Sequence, residues 1–188
     1  MESILKKEII CGRVVLRVIA VIFFIATITL GAYVRIPLPF TPVPLTLQTF
    51  FVLLSSAFLG IKFGLFIQFC YILLGLIGIP VFTGGFSGVL YLLSPTAGYL
   101  LGFIFATIFI PNLLNRLKTS FLLVTLVFSL ARILILLFGV IWLKISLSLS
   151  WVNSFLIGFV PFIPGDLVKS IIASFLFCRL KPRVGQIL

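Results

Sequence analysis

The most informative stretch of the chain is Pro161-Phe162-Ile163-Pro164-Gly165-Asp166-Leu167-Val168-Lys169. Asp166 is one of three acidic residues in the chain, and the other two lie in the N-terminal tail. Lys169 follows at i+3, so the two side chains share one face of a helix. A charge in hydrocarbon is costly and is usually paired or turned inward. The stretch therefore predicts a polar site inside a helical membrane protein.

The composition around this stretch is that of a membrane protein. The chain has 188 residues, 62% of them hydrophobic and 9% charged, with a mean hydropathy of +1.41. A soluble domain carries about 25% charged residues. Because no polar linker or charge block divides the chain, residues 1–188 are expected to form one domain. The net charge of +11 does not predict a nucleic-acid partner, because the basic residues flank apolar segments, as is usual in membrane proteins.

The residue types exclude several kinds of chemistry. The chain has no histidine and three cysteines, and none of the cysteines has metal-ligand spacing. No phosphate-binding G-x-x-x-x-G-K-[ST] motif occurs, so this chain has no such site for ATP. A single acid within the apolar segments cannot supply paired carboxylates. We therefore predict no enzymatic activity, no metal and no cofactor.

Six apolar runs predict six transmembrane helices. A helix needs about 20 residues to cross the hydrocarbon. The runs cover approximately residues 14–34, 45–61, 63–79, 95–114, 121–143 and 152–179. The first run lacks a convincing cleavage site, which favours a transmembrane helix over a signal peptide.

Two segments between these runs are predicted to be irregular. Residues 35–44 contain four prolines, which are incompatible with a helix and favour an extended backbone. Residues 80–94 begin with Pro80-Val81-Phe82-Thr83-Gly84-Gly85-Phe86-Ser87-Gly88, in which glycines allow turns and close approach to a ligand. With six helices, both segments fall on the same side of the membrane, at a depth similar to that of Asp166 and Lys169. Irregular backbone at that depth is tolerated where it lines a cavity.

The basic residues predict that both termini are cytoplasmic. The side of the termini carries Lys6, Lys7, Arg13, Arg17, Lys62, Arg116, Lys118, Arg179, Lys181 and Arg183. The opposite side carries only Arg35 and Lys144. This asymmetry follows the positive-inside rule and places the segments 35–44 and 80–94 outside, over a ligand pocket.

Each candidate residue has a structural alternative. Asp166 and Lys169 suit a ligand with a urea-like or amide group and an acid, or they form an ion pair that fixes helix packing. Gln48 faces the same cavity or bonds within the bundle. Thr83 and Ser87 line the site or cap turns.

For two further features in the transmembrane runs, the sequence does not decide between a packing role and a functional role. Arg132 stands alone in the fifth run. Thr27 and Gly31 have a small-xxx-small spacing that permits close helix approach, either within the chain or to a partner subunit.

Three stretches resemble the signatures of the BioY family. The first is Ile36-Pro37-Leu38-Pro39-Phe40-Thr41-Pro42-Val43-Pro44-Leu45-Thr46-Leu47-Gln48-Thr49. The second combines Pro80-Val81-Phe82 and Gly84-Gly85 with Ser94-Pro95-Thr96-Ala97-Gly98-Tyr99-Leu100-Leu101-Gly102-Phe103. The third is the stretch from Pro161 to Lys169. They occur in the family's order and span about residues 31–180.

The resemblance implies a biotin-binding S component of an energy-coupling factor (ECF) transporter in the cell membrane, with six helices. Its implied partners are biotin, a transmembrane coupling subunit, ABC-type ATPase subunits and membrane lipid. Asp166 and Lys169 would contact biotin, with the segments 35–44 and 80–94 closing over it. The biotin ring would pack on Phe40, Phe82 and Tyr99. Two alternatives are a solitary proton-driven carrier for biotin or another small vitamin, and a membrane scaffold without a ligand.

Overall fold

The computed structural model describes the backbone of residues 2–117 and 119–187, and the side chains of residues 14–117 and 119–182. Among the residues used to predict the orientation, Lys6, Lys7, Arg13, Lys118 and Arg183 have side chains outside this range.

The regular secondary structure of the described residues is helical apart from one small sheet, which confirms the predicted all-α class. The helices are α1 (Glu2–Tyr33), α2 (Gln48–Leu76), α3 (Ala97–Leu114), α4 (Phe121–Ser146), α5 (Trp151–Gly158) and α6 (Ile163–Ile187). Strands β1 (Arg35–Ile36) and β2 (Leu45–Thr46) pair antiparallel, with Arg35 opposite Thr46. Short 3₁₀ helices cover Val89–Leu93 and Val160–Phe162.

Five segments of the described chain are long and apolar enough to cross a membrane. They are Val14–Tyr33, Gln48–Leu76, Ala97–Leu114, Phe121–Ser146 and Trp151–Pro182. The predicted runs 45–61 and 63–79 thus fall within one helical element, α2. The sequence separates them at Lys62, and the structure departs from helical backbone geometry two residues earlier, at Gly60.

Helix α2 nevertheless reverses direction near its middle. Gly60 has φ 69° and ψ −171°, a backbone conformation that essentially only glycine adopts. The amide of Gln48 bonds with the hydroxyl of Tyr71, which is 23 residues further on. A straight helix would separate these residues by about 34 Å. The two arms of α2 therefore lie antiparallel, as a helical hairpin closed at Gly60.

Glycines bring neighbouring helices close together. At Gly31 on α1, a Cβ would lie 2.9 Å from the backbone of Gln48 on α2. At Gly102 on α3, it would lie 2.7 Å from Cα of Ile135 on α4. Small residues allow such close approach between membrane helices. The first arm of α2 thereby packs against α1, and α3 packs against α4.

The expected sixth run is broken rather than continuous. Helix α5 ends at Gly158, and after the 3₁₀ turn α6 begins at Ile163. Pro164 is tolerated at this position because the first turn of a helix has no internal partner for its N–H groups. Asp166 consequently lies in the first turn of α6, where a carboxylate is favoured by the helix dipole.

Candidate functional site

Asp166 is held by two cations from two helices. Its Oδ1 accepts hydrogen bonds from Nη1 of Arg132 at 2.8 Å and from Nζ of Lys169 at 2.7 Å. Lys169 is one turn along α6, as its spacing predicted, whereas Arg132 reaches across from α4. All three side chains are buried. The cluster contains two positive charges and one negative charge, and a buried carboxylate in this arrangement has its charge compensated.

Thr49 connects the two cations. Its Oγ1 accepts from Nη1 of Arg132 at 2.9 Å and from Nζ of Lys169 at 3.2 Å. Lys169 also donates to the carbonyl oxygen of Thr46 at 3.0 Å. An ammonium group has three donors, so Asp166, Thr46 and Thr49 use all of them. The proton of the Thr49 hydroxyl has no acceptor among the described residues and is free to donate to a ligand.

The other carboxylate oxygen of Asp166 remains open. No group in the described part of the chain bonds to Oδ2, although the side chain is only 10% exposed. Asp166 lines a cavity beside Lys169 and Thr49. An ionised carboxylate is an acceptor only. The position therefore suits a ligand N–H group.

A second acceptor is fixed by a short chain of hydrogen bonds. The hydroxyl of Tyr71 donates to the carbonyl oxygen of Val81 at 2.9 Å. Since a hydroxyl has one proton, Tyr71 must accept from Nε2 of Gln48. This interaction orients the Gln48 amide and leaves its Oε1 without a partner among the described residues. Gln48 is buried and lines the same cavity.

The cavity combines these polar groups with aromatic walls. Its space is about 490 Å³ including the opening. The polar lining consists of Thr46, Gln48, Thr49, Thr83, Thr96, Asp166 and Lys169. The aromatic lining consists of Tyr91, Tyr99, Phe103 and Phe162. An apolar pocket with a few convergent polar groups is the usual form of a ligand site.

The proline and glycine segments form the upper wall of the cavity. Val43 and Pro44 line it from the first segment, and Thr83 lines it from the second. The hydroxyl of Tyr33, at the end of α1, donates to the carbonyl oxygen of Pro80. The end of α1, which leads into the proline segment, is thus attached to the start of the glycine segment.

Most of the predicted binding residues meet at this cavity. Asp166, Lys169, Gln48, Thr83 and Tyr99 all line it. The Tyr99 hydroxyl donates to the carbonyl oxygen of Gly158 at 2.8 Å, so its ring rather than its hydroxyl is available. Ser87 lies further out, in the space above.

Two predicted ring contacts are not in the lining. Phe82 is fully buried and stacks on Tyr91, with 4.3 Å between the ring centroids. It therefore lies behind Tyr91, which takes the place predicted for Phe82. Phe40 is 59% exposed on the proline segment. Neither residue is part of the cavity lining in this conformation.

Thr49, Arg132 and Tyr91 are the main residues that sequence reasoning missed or left open. The sequence could have indicated Thr49, because this residue directly follows Gln48 in the first of the three family signatures. Arg132 had been left undecided between packing and function, and its bond to Asp166 associates it with the site. No motif in the sequence indicated Tyr91, which lies in the 3₁₀ helix Val89–Leu93 and lines the cavity from there.

Gly31 packs closely against the backbone of Gln48 in the same chain. Close packing within the chain is one of the two roles that its spacing permits, and docking of a partner subunit is the other. Thr27 is half-buried, and its hydroxyl bonds to the carbonyl oxygen of Phe24 in its own helix. Docking of a partner subunit at Thr27 and Gly31 stays a prediction.

Comparison with known proteins gives consistent matches. The model of the BioY family matches residues 5–186. A "Biotin transporter BioY" of Thermotoga maritima is 40% identical over 84% of this chain and 91% of the relative. A "Probable biotin transporter BioY" of Lysinibacillus sphaericus is 37% identical over 88% of this chain and 86% of the relative.

A solved structure also matches. It is described as the S-component for biotin from an ECF-type ABC transporter, and it superposes with a TM-score of 0.82 at 31% identity. The match covers 89% of this chain and 92% of the other.

Proposed function

The chain belongs to the BioY family, and we propose from this membership that it is the biotin-binding subunit of an ECF-type transporter. Biotin transport is the function printed for its relatives and for the matching structure. The protein is a multi-pass protein of the cell membrane, with five apolar segments long enough to span it. The observation that best supports biotin as the ligand is the carboxylate of Asp166, with one oxygen held by two cations and the other open to the cavity.

The ureido group of biotin fits the polar groups of the cavity. It has two N–H donors and one carbonyl acceptor. Oδ2 of Asp166 and Oε1 of Gln48 are the free acceptors, and the hydroxyl of Thr49 is the free donor. In this arrangement Lys169 holds Asp166 and the backbone of Thr46 rather than the ligand. Each buried ligand group then has a partner, which a desolvated site requires.

Apart from the carboxylate of its tail, the remainder of biotin is apolar and fits the aromatic walls. Its fused rings would pack between Tyr99, Phe103 and Phe162 at the bottom of the cavity, with Tyr91 above. The segments 35–44 and 80–94 would close over the bound ligand. Phe40, which is exposed here, would contact biotin only if its segment moved on binding.

We further infer six membrane crossings, with the two arms of α2 as the second and third. The hairpin at Gly60 supports this topology because it returns the chain to the level of Gln48. Lys62 and Arg17 then lie at the end opposite to Arg35, and both termini are cytoplasmic by the positive-inside rule. The cavity opens at the outer end.

The energy for uptake would come from partner subunits. This sequence carries no phosphate-binding loop for ATP, and the matching structure is described as one component of an ABC transporter. A transmembrane coupling subunit and ABC-type ATPases would move the loaded bundle. Thr27 and Gly31 on α1 remain the predicted docking residues.

Biotin binding by purified variants tests the site. We expect Asp166→Asn and Lys169→Ala each to weaken binding by about tenfold or more, since hydrogen bonds to charged groups contribute about 1.5–3 kcal/mol. Asn keeps the shape of Asp but turns one acceptor into a donor. Arg116→Gln, an exposed change next to the α3–α4 connection, is the matched control for loss of a charge. Affinities within twofold of wild type for both site variants would refute the assignment.

The alternative function, a solitary proton-driven carrier, predicts a different result for biotin uptake by cells. Uptake that persists without any coupling subunit and collapses with a protonophore would favour the carrier. Uptake that requires the coupling subunit would favour the S component. If no small vitamin raises the unfolding temperature of the purified protein, the scaffold alternative gains support.

A further inference from the structure

The cavity beside Asp166 continues outward into a second space. The outer space has a volume of about 800 Å³ including its opening. Both spaces are lined by Pro44, Thr83, Tyr91 and Thr96. A ligand longer than the inner cavity therefore has a passage between the proline and glycine segments.

Neither cation beside the inner cavity is placed to bind a second acid there. Lys169 uses its three donors on Asp166, Thr46 and Thr49. Nε and Nη2 of Arg132 have no partner among the described residues, but Arg132 does not line this cavity and reaches it only through Asp166 and Thr49. A carboxylate at the far end of the ligand would have to find its partner elsewhere.

Arg35 is the one charged side chain that lines the outer space. Within the described part of the chain, it makes no hydrogen bond and no ion pair. A guanidinium group has five donors, so all of them are available to a ligand or to water. Arg35 thus differs from Lys169, whose three donors are in use, and from Arg132, whose remaining donors line neither space.

The backbone holds Arg35 beside the opening. Its pairing with Thr46 fixes the start of the side chain next to the strand that lines the inner cavity. Its Nη1 lies 2.5 Å from the position that a Cβ would occupy at Gly84. Gly84 has φ 82°, which favours glycine independently. The guanidinium therefore rests against the glycine segment rather than extending away from it.

We propose that Arg35 binds the carboxylate of the ligand's aliphatic tail and makes the transporter selective for the free acid. The proposal rests on the proposed function, because it assumes that the ureido end of biotin lies at Asp166. The tail would pass between Thr83 and Thr96 to the outer space. An arginine can bind a carboxylate with two parallel hydrogen bonds, which a neutral amide or ester accepts less strongly.

Comparison of biotin with its primary amide, biotinamide, tests this role. We expect the wild-type protein to bind biotin about tenfold or more tightly than biotinamide, because charge-assisted hydrogen bonds are the stronger ones. Arg35→Gln should weaken biotin binding by about the same factor and leave biotinamide within about twofold of its wild-type affinity. Arg35→Lys should retain part of the preference, since it keeps the charge without the planar fork.

Lys144→Gln is the matched control. Lys144 is the other cation predicted on the same side of the membrane, and it lies over the ring of Trp151, away from both spaces. Its loss removes one positive charge and should leave the preference for biotin unchanged.

The outcomes separate the two proposals. If wild type binds both ligands equally, or if Arg35→Gln weakens both by the same factor, the role of Arg35 is refuted and the biotin site stands. Binding of biotinamide by Arg35→Gln shows at the same time that the variant is folded. If wild type binds neither ligand, the proposed function fails and the role of Arg35 fails with it.

Discussion

Thr49 is the residue whose replacement tests the charged cluster most directly. Its hydroxyl accepts from Arg132 and from Lys169, and we propose that it donates to the ureido carbonyl oxygen. Thr49→Val has nearly the same shape but lacks the hydroxyl. Thr49→Ser keeps the hydroxyl and lacks only the methyl group. The pair therefore separates hydrogen bonding from packing.

The magnitude follows from the number of bonds removed. A hydrogen bond to a charged group contributes about 1.5–3 kcal/mol. Two such bonds are lost in Thr49→Val, but Arg132 and Lys169 both retain Asp166. We expect the free energy of unfolding to fall by about 3 kcal/mol, the low end of the sum. The lost donor to the ligand should raise the Kd for biotin by about fivefold or more, as expected for a bond of about 1 kcal/mol.

Two measurements check these values. Denaturant titration in detergent micelles gives the free energy of unfolding, and calorimetric titration gives the Kd for biotin. Thr49→Ser should lie within about 1 kcal/mol of wild type in stability, as expected when only one methyl group is removed, and within about twofold in affinity. If valine and serine give the same stability and the same Kd, the hydroxyl does not connect the cluster, and our account of the site is wrong.

Three further substitutions test the framework of the site. Gly60→Ala should lower the free energy of unfolding by about 1–3 kcal/mol, because alanine is strained at φ 69°; an unchanged value would contradict the hairpin. Tyr71→Phe should raise the Kd for biotin about fivefold, because the Gln48 amide loses the partner that orients it; a Kd equal to wild type would remove Gln48 from the site. Gly102→Val should destabilise the protein by about 1–3 kcal/mol or more, because it forces α3 away from α4. The exposed neighbour Leu101→Val is the control and should change stability little, so equal effects of the two would argue against close packing there.

The local part of the site could be predicted from the sequence, and the part between helices could not. Asp166 and Lys169 are three residues apart, so helix geometry alone brings them together. Arg132 is 34 residues from Asp166 on another helix. Apolar side chains cover both the lipid-facing and the inward faces of membrane helices, so hydrophobic periodicity does not indicate which face turns inward. The role of Arg132 therefore required the packing of α4 against α6.

The same limit applies to the aromatic residues. Phe82 and Tyr91 belong to one irregular region and stack on each other. Sequence alone indicates that such a region approaches the ligand, but which ring faces the cavity depends on φ and ψ angles at glycines such as Gly84 and Gly85. The composition sufficed for the helical class, since a chain this apolar must satisfy its backbone groups internally. The helix ends and the position of the break in α2, at Gly60 rather than at Lys62, depended on local conformation.

The hairpin of α2 also has a consequence for the surrounding lipid. Its second arm, from Gly60 to Leu76, contains about 16 residues and is about 24 Å long, whereas the hydrocarbon layer is about 30 Å thick. Phe66, Phe69 and Leu73 on the second arm are more than half exposed and face outward. Lipid against this side has to thin locally, at a cost of fractions of a kcal/mol per ångström of mismatch. Uptake in reconstituted vesicles should therefore be faster in lipids with short acyl chains than in lipids with long ones.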